Sequence, residues 1–403
     1  MKEKIGKFWN TPITGSQLYF IVFVLFLFHK FVDTTTIDYQ PLISTLHLVS
    51  YLVIPAMLFK IYFMDHYKLD KLLWISVAIA IFLISYLKTR EITILSYFLM
   101  IVGAKGVDFR KIIQWFFYLS VSFLIIIVVF TLLGVITNLI YRPIGRSIRY
   151  SLGIVYPTDF AAHVLFSILA YYYLRFGKIK WIEHIIVIAI GILVMKITNA
   201  RLDSLTIFLS VPITIIAQLS IKYHELSLVT AFMWIVTPVL EWVAVVSSYF
   251  YTPKIGILKS IDDALSGRLF YSHIAFEKYP ITIFGQKVIE HGNGGQNGMK
   301  VFNNTGPHSY FYIDSSYLRM FIIFGLLVFF IVSVIMIATS IKGYLNHDYI
   351  IPAIILIVSI ASLVEQHLWE IAYDPFLIYL VASIPLKEKE NELQFKEYLS
   401  SSN

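Results

Sequence analysis

The sequence contains no cysteine among its 403 residues, and only 14% of them are charged. Without thiols the chain can form neither disulfides nor thiolate metal sites. The small charged fraction, together with 58% hydrophobic residues and a mean hydropathy of +0.75, excludes a soluble domain of ordinary composition. We therefore predict a polytopic membrane protein. Its net charge of +7 comes mostly from short connectors between apolar runs, so nucleic-acid binding is not expected.

Long apolar runs dominate the chain. A hydrocarbon core about 30 Å thick requires roughly 20 residues of apolar helix. On this basis residues 1–403 are predicted to form a single all-α, GT-C-like membrane domain with about twelve transmembrane helices and one large extracytoplasmic loop. The predicted spans lie near Gln17–Phe31, Leu42–Phe63, Leu72–Leu87, Ile92–Gly103, Ile112–Thr137, Pro157–Leu174, Trp181–Thr198, Leu202–Ile221, Leu226–Phe250, Ser315–Ile341, Tyr349–His367 and Ile371–Leu386. The first span is expected to be uncleaved, because no small-residue cleavage site accompanies it.

Lysine distribution predicts the orientation. If the N-terminus is cytoplasmic, most connector lysines fall on the cytoplasmic side, as the positive-inside rule requires. Both termini are then cytoplasmic, including a polar tail at 387–403, and the long polar segment 250–314 is extracytoplasmic. Within that segment, residues 261–279 predict a short amphipathic helix, and the glycine-rich residues 291–298 predict a flexible tip. A loop of this length is usually functional, and we interpret it as a lid over a site.

Arginines gather at the predicted outer ends of spans, whereas lysines dominate inside. A guanidinium binds phosphate through two parallel hydrogen bonds, while a lysine ammonium acts as a point charge. Any single arginine could instead pair with an acid or a lipid headgroup, but several on one face favour an anionic ligand. The outer arginines are Arg90, Arg142, Arg146, Arg149, Arg201, Arg268 and Arg319.

Acidic and histidine residues repeat this pattern at the outer ends of spans, where ionisable groups usually face a cavity or a partner. We interpret Asp203 as neutralising Arg201, and Asp159 as capping its helix after Pro157. Glu241 lies deepest and is not explained in this way. The others in this group are His163, Glu365, His367 and Glu370.

Asp262 and Asp263 in the long loop could form a metal pair. Acids at the start of an amphipathic helix also complement its dipole, and this interpretation is preferred. The glycine-rich tip lacks the Lys-Ser/Thr of a nucleotide-binding loop. No metal or other cofactor is therefore expected.

Four segments carry a resemblance to a known family. They are RSIRYSLGIVYPTDF from residue 146, KITNARLDSL from 196, LSGRLFYSHIAFEKYPITIFGQ from 265 and IDSSYLRMFIIFGLL from 313. Over residues 146–376 the chain resembles the Wzy-type polysaccharide polymerases and the related O-antigen ligases, including the order of spans around one large outer loop. The motifs are loose, so order and hydropathy contribute as much as identity.

The resemblance implies that a glycan linked to undecaprenyl diphosphate is the donor, held by outer-face arginines, and that an acceptor hydroxyl attacks the anomeric carbon. Arg201 stands at the family's arginine after the middle spans, and Arg268 at the arginine of a Gly-Arg motif in the loop. Arg146 or Arg149 matches an upstream basic position, and Arg142 is a further candidate for the diphosphate.

The general base is not fixed by the resemblance. Ligases of this group carry a His-Asn-x-x-Leu-like motif, whereas the matching residues here read Asp-Ser-Ser-Tyr-Leu from Asp314. This difference favours a polymerase. The candidate bases are Asp314, His308, Glu365 and His367.

The sequence thus predicts a metal-independent, inverting glycosyltransferase that polymerises lipid-linked repeat units into capsular or exopolysaccharide at the outer face of a bacterial plasma membrane. Its expected partners are the undecaprenyl-diphosphate-linked oligosaccharide, the bilayer, and a chain-length regulator and flippase of the same pathway. A ligase that transfers a finished glycan is the alternative enzyme. A lipid-linked oligosaccharide flippase is the alternative of a different class, which the outward bias of arginine disfavours.

Overall fold

The computed structural model describes residues 13–145, 147–303 and 310–384. Two predicted site residues, Arg146 and His308, and the predicted tail at 387–403 lie outside these ranges. Apart from isolated bridges, the regular secondary structure of the described residues is helical except for one antiparallel hairpin, in which Ile140–Tyr141 (β1) pairs with Arg149–Tyr150 (β2). The predicted helical membrane architecture is confirmed at this level.

The α-helices follow one another closely along the chain. In order they are Gly15–Asp33 (α1), Gln40–Phe59 (α2), Leu69–Thr89 (α3), Ile92–Val102 (α4), Phe109–Leu132 (α5), Pro157–Arg175 (α6), Trp181–Thr198 (α7), Arg201–Leu219 (α8), His224–Ala231 (α9), Val236–Tyr249 (α10), Gly256–Ala264 (α11), Arg268–Lys278 (α12), Gly295–Phe302 (α13), Ser316–Leu318 (α14), Leu326–Leu345 (α15) and Ile350–Ala361 (α16). The core forms where α8 packs on α16 and α7, and α16 on α15.

Eight helical segments of the described chain are long and apolar enough to cross a membrane, fewer than the twelve predicted. They are Gly15–Asp33, Gln40–Met64, Leu69–Thr89, Phe109–Leu132, Trp181–Thr198, Arg201–Leu219, His224–Tyr249 and Leu326–Leu345. Helix α6 forms within one residue of its predicted bounds but is less apolar, and α4 and α16 are apolar but short. The predicted span Ile371–Leu386 is wrong over its described part, which contains only a 3₁₀ turn at Phe376–Leu380.

Local sequence explains where several helices begin and end. Thr14 and Gln17 form a reciprocal capping box at the start of α1, where the Gln17 amide donates to Thr14 Oγ1 at 3.3 Å. Pro157 occupies the first turn of α6, where its missing N–H has no cost. Asn199 adopts a left-handed conformation that ends α7, so that α8 can start two residues later.

The predicted span Ser315–Ile341 is interrupted at Gly325. A π-helical turn, Arg319–Phe324, leads into Gly325, whose φ of 94° separates it from α15. A Cβ at Gly325 would lie 2.3 Å from the backbone nitrogen of Gly285, so glycine is required for this close approach. The Gln286 amide donates to the Ile323 carbonyl at 2.8 Å. The long loop therefore inserts into the break, which helical periodicity alone does not reveal.

The long polar segment between α10 and α14 contains helices in its described residues. The predicted amphipathic helix is divided into α11 and α12, because Ser266 and Gly267 adopt positive φ. Buried Asp262 accepts hydrogen bonds from the Tyr251 hydroxyl and the Phe270 amide, both at 3.1 Å, so it caps the first turn of α12. The predicted flexible tip contains the first half of α13 and is anchored by a backbone bridge between His291 and Phe311.

The orientation can be tested by thiol labelling, because the chain has no native cysteine. Gly294 and Lys68 are both exposed in connectors, at opposite ends of the helical bundle under the predicted topology. With the long loop outside, Gly294→Cys should react with an impermeant maleimide in intact cells, and Lys68→Cys only after permeabilisation. The reverse pattern would invert the orientation and place the site described below in the cytoplasm.

Candidate functional site

Charged residues from distant parts of the sequence converge at one end of the helical bundle. The amino-terminal ends of α6, α8 and α12 meet there with residues 310–314 and 364–370. Two adjacent cavities open between them. The arginine cavity, about 350 Å³, includes Arg149, Arg201, Asp203, Arg268, Tyr271 and Asp314 in its lining. The tyrosine cavity, about 300 Å³, includes Tyr156, Asn293, Tyr310, Tyr312, Asp314 and Glu365. Both are of a size that accommodates small ligands.

Arg201 is the most available cation in the arginine cavity. It is the first residue of α8 and is exposed, and it makes no hydrogen bond or ion pair within the described ranges. A free guanidinium at the amino-terminal end of a helix favours an anion, since the helix dipole adds to its charge.

Arg149 is held in place by two contacts that leave part of its guanidinium free. Its Nε donates to the Thr198 carbonyl at 2.9 Å, and its Nη1 donates to the Tyr156 hydroxyl at 3.2 Å. Arg142 is exposed and does not line the cavity. The structure thus brings three of the five predicted diphosphate ligands together, leaves Arg142 outside, and does not describe Arg146.

Arg268 is more constrained than a simple phosphate ligand would be. Three of its five N–H groups are engaged: Nε donates to the Val364 carbonyl at 2.7 Å, Nη1 to the Leu265 carbonyl at 3.1 Å, and Nη2 to Glu365 at 3.0 Å. Burial opposes its charge, but nearby Asp314 and Glu365 raise the pKa of Arg268 above its ordinary value. Arg268 therefore both orders two acids and retains donors for a ligand.

Asp314 lies at the junction of the two cavities and contributes to the lining of both. Its side chain is 26% exposed and lies 3.7 Å from Arg268 Nε. Burial raises the pKa of Asp314, and the charge of Arg268 partly opposes this shift. A carboxylate with a raised pKa is a better proton acceptor than an ordinary one.

Glu365 and His367 form a buried network behind Asp314. His367 is 2% exposed, and its Nε2 lies 3.5 Å from Asp159 and 3.9 Å from Glu365. Its Nδ1 lies 3.4 Å from Glu370, and its ring stacks on Tyr373 at 3.8 Å. Of these two candidate bases, Glu365 lines the tyrosine cavity and His367 lines neither of the two cavities. The Asp159 side chain pairs with His367 and makes no capping hydrogen bond, which corrects the interpretation of Asp159 as a helix cap.

Asp203 does not neutralise Arg201, contrary to the prediction, because the described residues show no ion pair between them. It is 2% exposed, and both of its carboxylate oxygens lack a hydrogen-bond partner among the described residues. Buried polar groups are normally hydrogen-bonded, so an unpartnered carboxylate in a cavity wall indicates a position that a ligand hydroxyl or a water satisfies. Asp203 therefore joins the candidate site.

Two other polar residues noted in the sequence have structural partners instead. His163 Nε2 lies 2.8 Å from the Thr34 hydroxyl, which ties α6 to the end of α1. Glu241 accepts a hydrogen bond from Ser333 at 2.5 Å, which links α10 to α15. Neither residue lines the two cavities.

An ion pair that the sequence did not suggest positions the segment carrying Asp314. Arg319 Nη1 lies 2.9 Å from both carboxylate oxygens of Glu290. Glu290 also accepts from the Ile313 amide at 2.9 Å, and Arg319 donates to the Ile313 carbonyl at 3.2 Å. The pair thus holds both backbone polar groups of Ile313, the residue before Asp314. Its members are 29 residues apart, and no spacing rule relates them.

Comparison of the chain with protein-family models, curated proteins and solved structures finds no match.

Proposed function

We propose that the protein is a membrane glycosyltransferase that polymerises undecaprenyl-diphosphate-linked oligosaccharide repeat units into capsular or exopolysaccharide at the outer face of a bacterial plasma membrane. The observation that carries this proposal is the pair of adjoining cavities, both lined by tyrosines but only one of them by arginines, with Asp314 as the carboxylate that lines both. Such a layout suits a reaction between an anionic donor and a neutral polyol acceptor.

The arginine cavity suits the donor diphosphate. Arg201 offers an unengaged guanidinium, and Arg149 and Arg268 offer donors that their protein contacts leave free. As the bond between the anomeric carbon and the diphosphate breaks, negative charge grows on the leaving oxygen. Fixed cationic donors stabilise that charge without a metal ion. Asp203 could receive a hydroxyl of the donor sugar, because its oxygens have no partner among the described residues.

The tyrosine cavity suits the acceptor sugar. Tyr156, Tyr310 and Tyr312 line it, the first two lining the arginine cavity as well, and Asn293 and Gln366 add polar atoms of the kind that orient a sugar. The acceptor hydroxyl would approach the junction, where Asp314 takes its proton. The acceptor oxygen then bonds to the anomeric carbon from the face opposite the departing diphosphate. A single displacement of this kind inverts the anomeric configuration.

Reconstitution provides the direct test. The purified protein in lipid vesicles should convert lipid-linked repeat units into a ladder of longer lipid-linked chains and release one undecaprenyl diphosphate per bond formed. Deletion of the gene should leave single repeats on the lipid carrier at the outer face. Transfer of a finished chain to a different acceptor would identify a ligase instead, and single repeats stranded on the inner leaflet would identify a flippase.

A further inference from the structure

A second cluster of ionisable side chains lies apart from the residues assigned to glycosyl transfer. His29 and Asp33 are four residues apart on α1, so they share one face of the helix. The short connector at 34–39 turns the chain back, and α2 packs beside α1 and brings His47 to the same face. His29 Nδ1 lies 3.5 Å from Asp33 Oδ1, and the two imidazole rings are 5.4 Å apart.

His29 is buried beside Asp33 without a hydrogen bond to either ring nitrogen among the described residues. It has no solvent exposure. Leaving buried polar atoms unpaired is costly, and such groups generally have a ligand, an ion or a water as a partner. His47 presents the complementary anomaly, since it is an exposed imidazole on a helix otherwise suited to cross the membrane.

The three side chains have the composition and spacing of a metal site. Their ligand atoms all lie within 4.8 Å of one another. In a tetrahedral zinc site with bonds of 2.0–2.1 Å, ligand atoms are about 3.4 Å apart, close to the distance between His29 and Asp33. Rotation of the exposed His47 side chain would supply the remaining contraction of up to about 1.4 Å.

The surroundings of Asp33 fit metal coordination as well. Its Oδ1 faces His29, while its Oδ2 accepts a hydrogen bond from Lys30 Nζ at 3.1 Å. Ligating carboxylates are commonly oriented by such an outer contact on the oxygen that the metal does not use. Two imidazoles and one carboxylate suit a divalent transition metal better than Mg²⁺ or Ca²⁺, which prefer oxygen ligands.

We propose that His29, Asp33 and His47 bind one divalent ion of the zinc class, with a fourth position open to water, and that the ion fastens the end of α1 to the start of α2. The sequence prediction of no metal did not consider these three residues together. The proposal is independent of the glycosyltransferase assignment.

Zinc binding to the detergent-purified full chain tests this inference. The protein should carry a tag without histidine, be stripped with chelator and be titrated with Zn²⁺ by calorimetry. We expect one Zn²⁺ per chain, an increase in melting temperature on binding, and loss of at least about tenfold in affinity in His47→Ala and Asp33→Asn. His47 is exposed, so its replacement leaves packing intact. The matched control is His66→Ala, another exposed histidine.

Cobalt supplies a readout that does not depend on stability. Co²⁺ in a four-coordinate site with two imidazoles gives visible absorption bands, which His47→Ala should abolish and His66→Ala should preserve. Absence of saturable binding in the wild-type protein would overturn the proposal. Equal affinity in wild type and His47→Ala would also overturn it, because the bound ion would then lie elsewhere.

Discussion

Replacing Arg201 with alanine should lower the rate of polymer formation by roughly a hundred- to a thousandfold, the loss seen when one donor to a developing oxyanion is removed, about 2.7–4 kcal/mol. Arg201 has no protein partner among the described residues, so the variant should insert, express and melt as the wild type does. Single repeats should accumulate on the lipid carrier. Arg201→Lys should remain close to the alanine variant, because an ammonium cannot reproduce two parallel hydrogen bonds to a diphosphate.

Arg142 provides the matched control for that experiment. It is also an exposed arginine at the same end of the bundle, but it does not line the arginine cavity. Arg142→Ala should therefore polymerise at the wild-type rate. Normal chain length in Arg201→Ala, or an equal defect in Arg142→Ala, would show that the cavity does not select Arg201 and that these arginines contact lipid headgroups.

Substitution of Arg268 tests donor binding less directly, because it also leaves Asp314 and Glu365 without their cation. Breaking a buried ion pair from one side costs about 3–5 kcal/mol. Arg268→Ala should therefore lose both activity and stability. Adding Glu365→Gln removes one of the unpaired charges, so the double variant should regain stability but not activity if Arg268 also binds the donor.

The sequence predicted which arginines lie near one another better than it predicted the contacts of each side chain. The pattern of arginines at the outer ends of spans, together with the order of the motif segments, grouped Arg149, Arg201 and Arg268. These three arginines line one cavity in the structure. The signal is compositional, because charge is rare in an apolar chain and each charged residue is therefore informative. The same reasoning could not separate Arg142 from the others. Its exclusion depends on where the β1–β2 hairpin places it.

Interactions between distant residues were beyond sequence reasoning. The Asp203 interpretation failed because proximity along a helix does not determine where side chains point: residues two apart lie on different faces. The break at Gly325 depends on insertion of the loop at Gly285, a contact across 40 residues. The helices α4 and α16 are shorter than the spans predicted for them. High hydropathy could not fix their length, because a helix buried in protein is as apolar as one buried in lipid.

Asp314 is the residue whose loss should have the most specific effect. A positioned general base contributes about a hundred- to ten-thousandfold to a rate, so Asp314→Asn should lose activity within that range. Donor binding should survive, because the base acts on the acceptor hydroxyl and Arg201, Arg149 and Arg268 remain in place. The carboxylate must be ionised to accept a proton, so wild-type activity should fall as the pH drops through the pKa of Asp314, which burial raises. The asparagine variant should lack this acid limb.

Asp314→His gives the sharper form of the experiment, because the resemblance places a histidine at this position in the ligases. A neutral imidazole can take the acceptor proton, so this variant should recover part of the activity that Asp314→Asn loses. Its acid limb should move toward the ordinary histidine pKa of about 6.5. Asp263→Asn, at an exposed acid that pairs with Lys259, serves as the control and should remain fully active. A wild-type rate in Asp314→Asn would show that Asp314 is not the base. The remaining candidates would be Glu365, which lines the same cavity, His367 and His308. An asparagine variant that is inactive and also fails to bind donor would assign Asp314 to ordering Arg268 instead of accepting a proton.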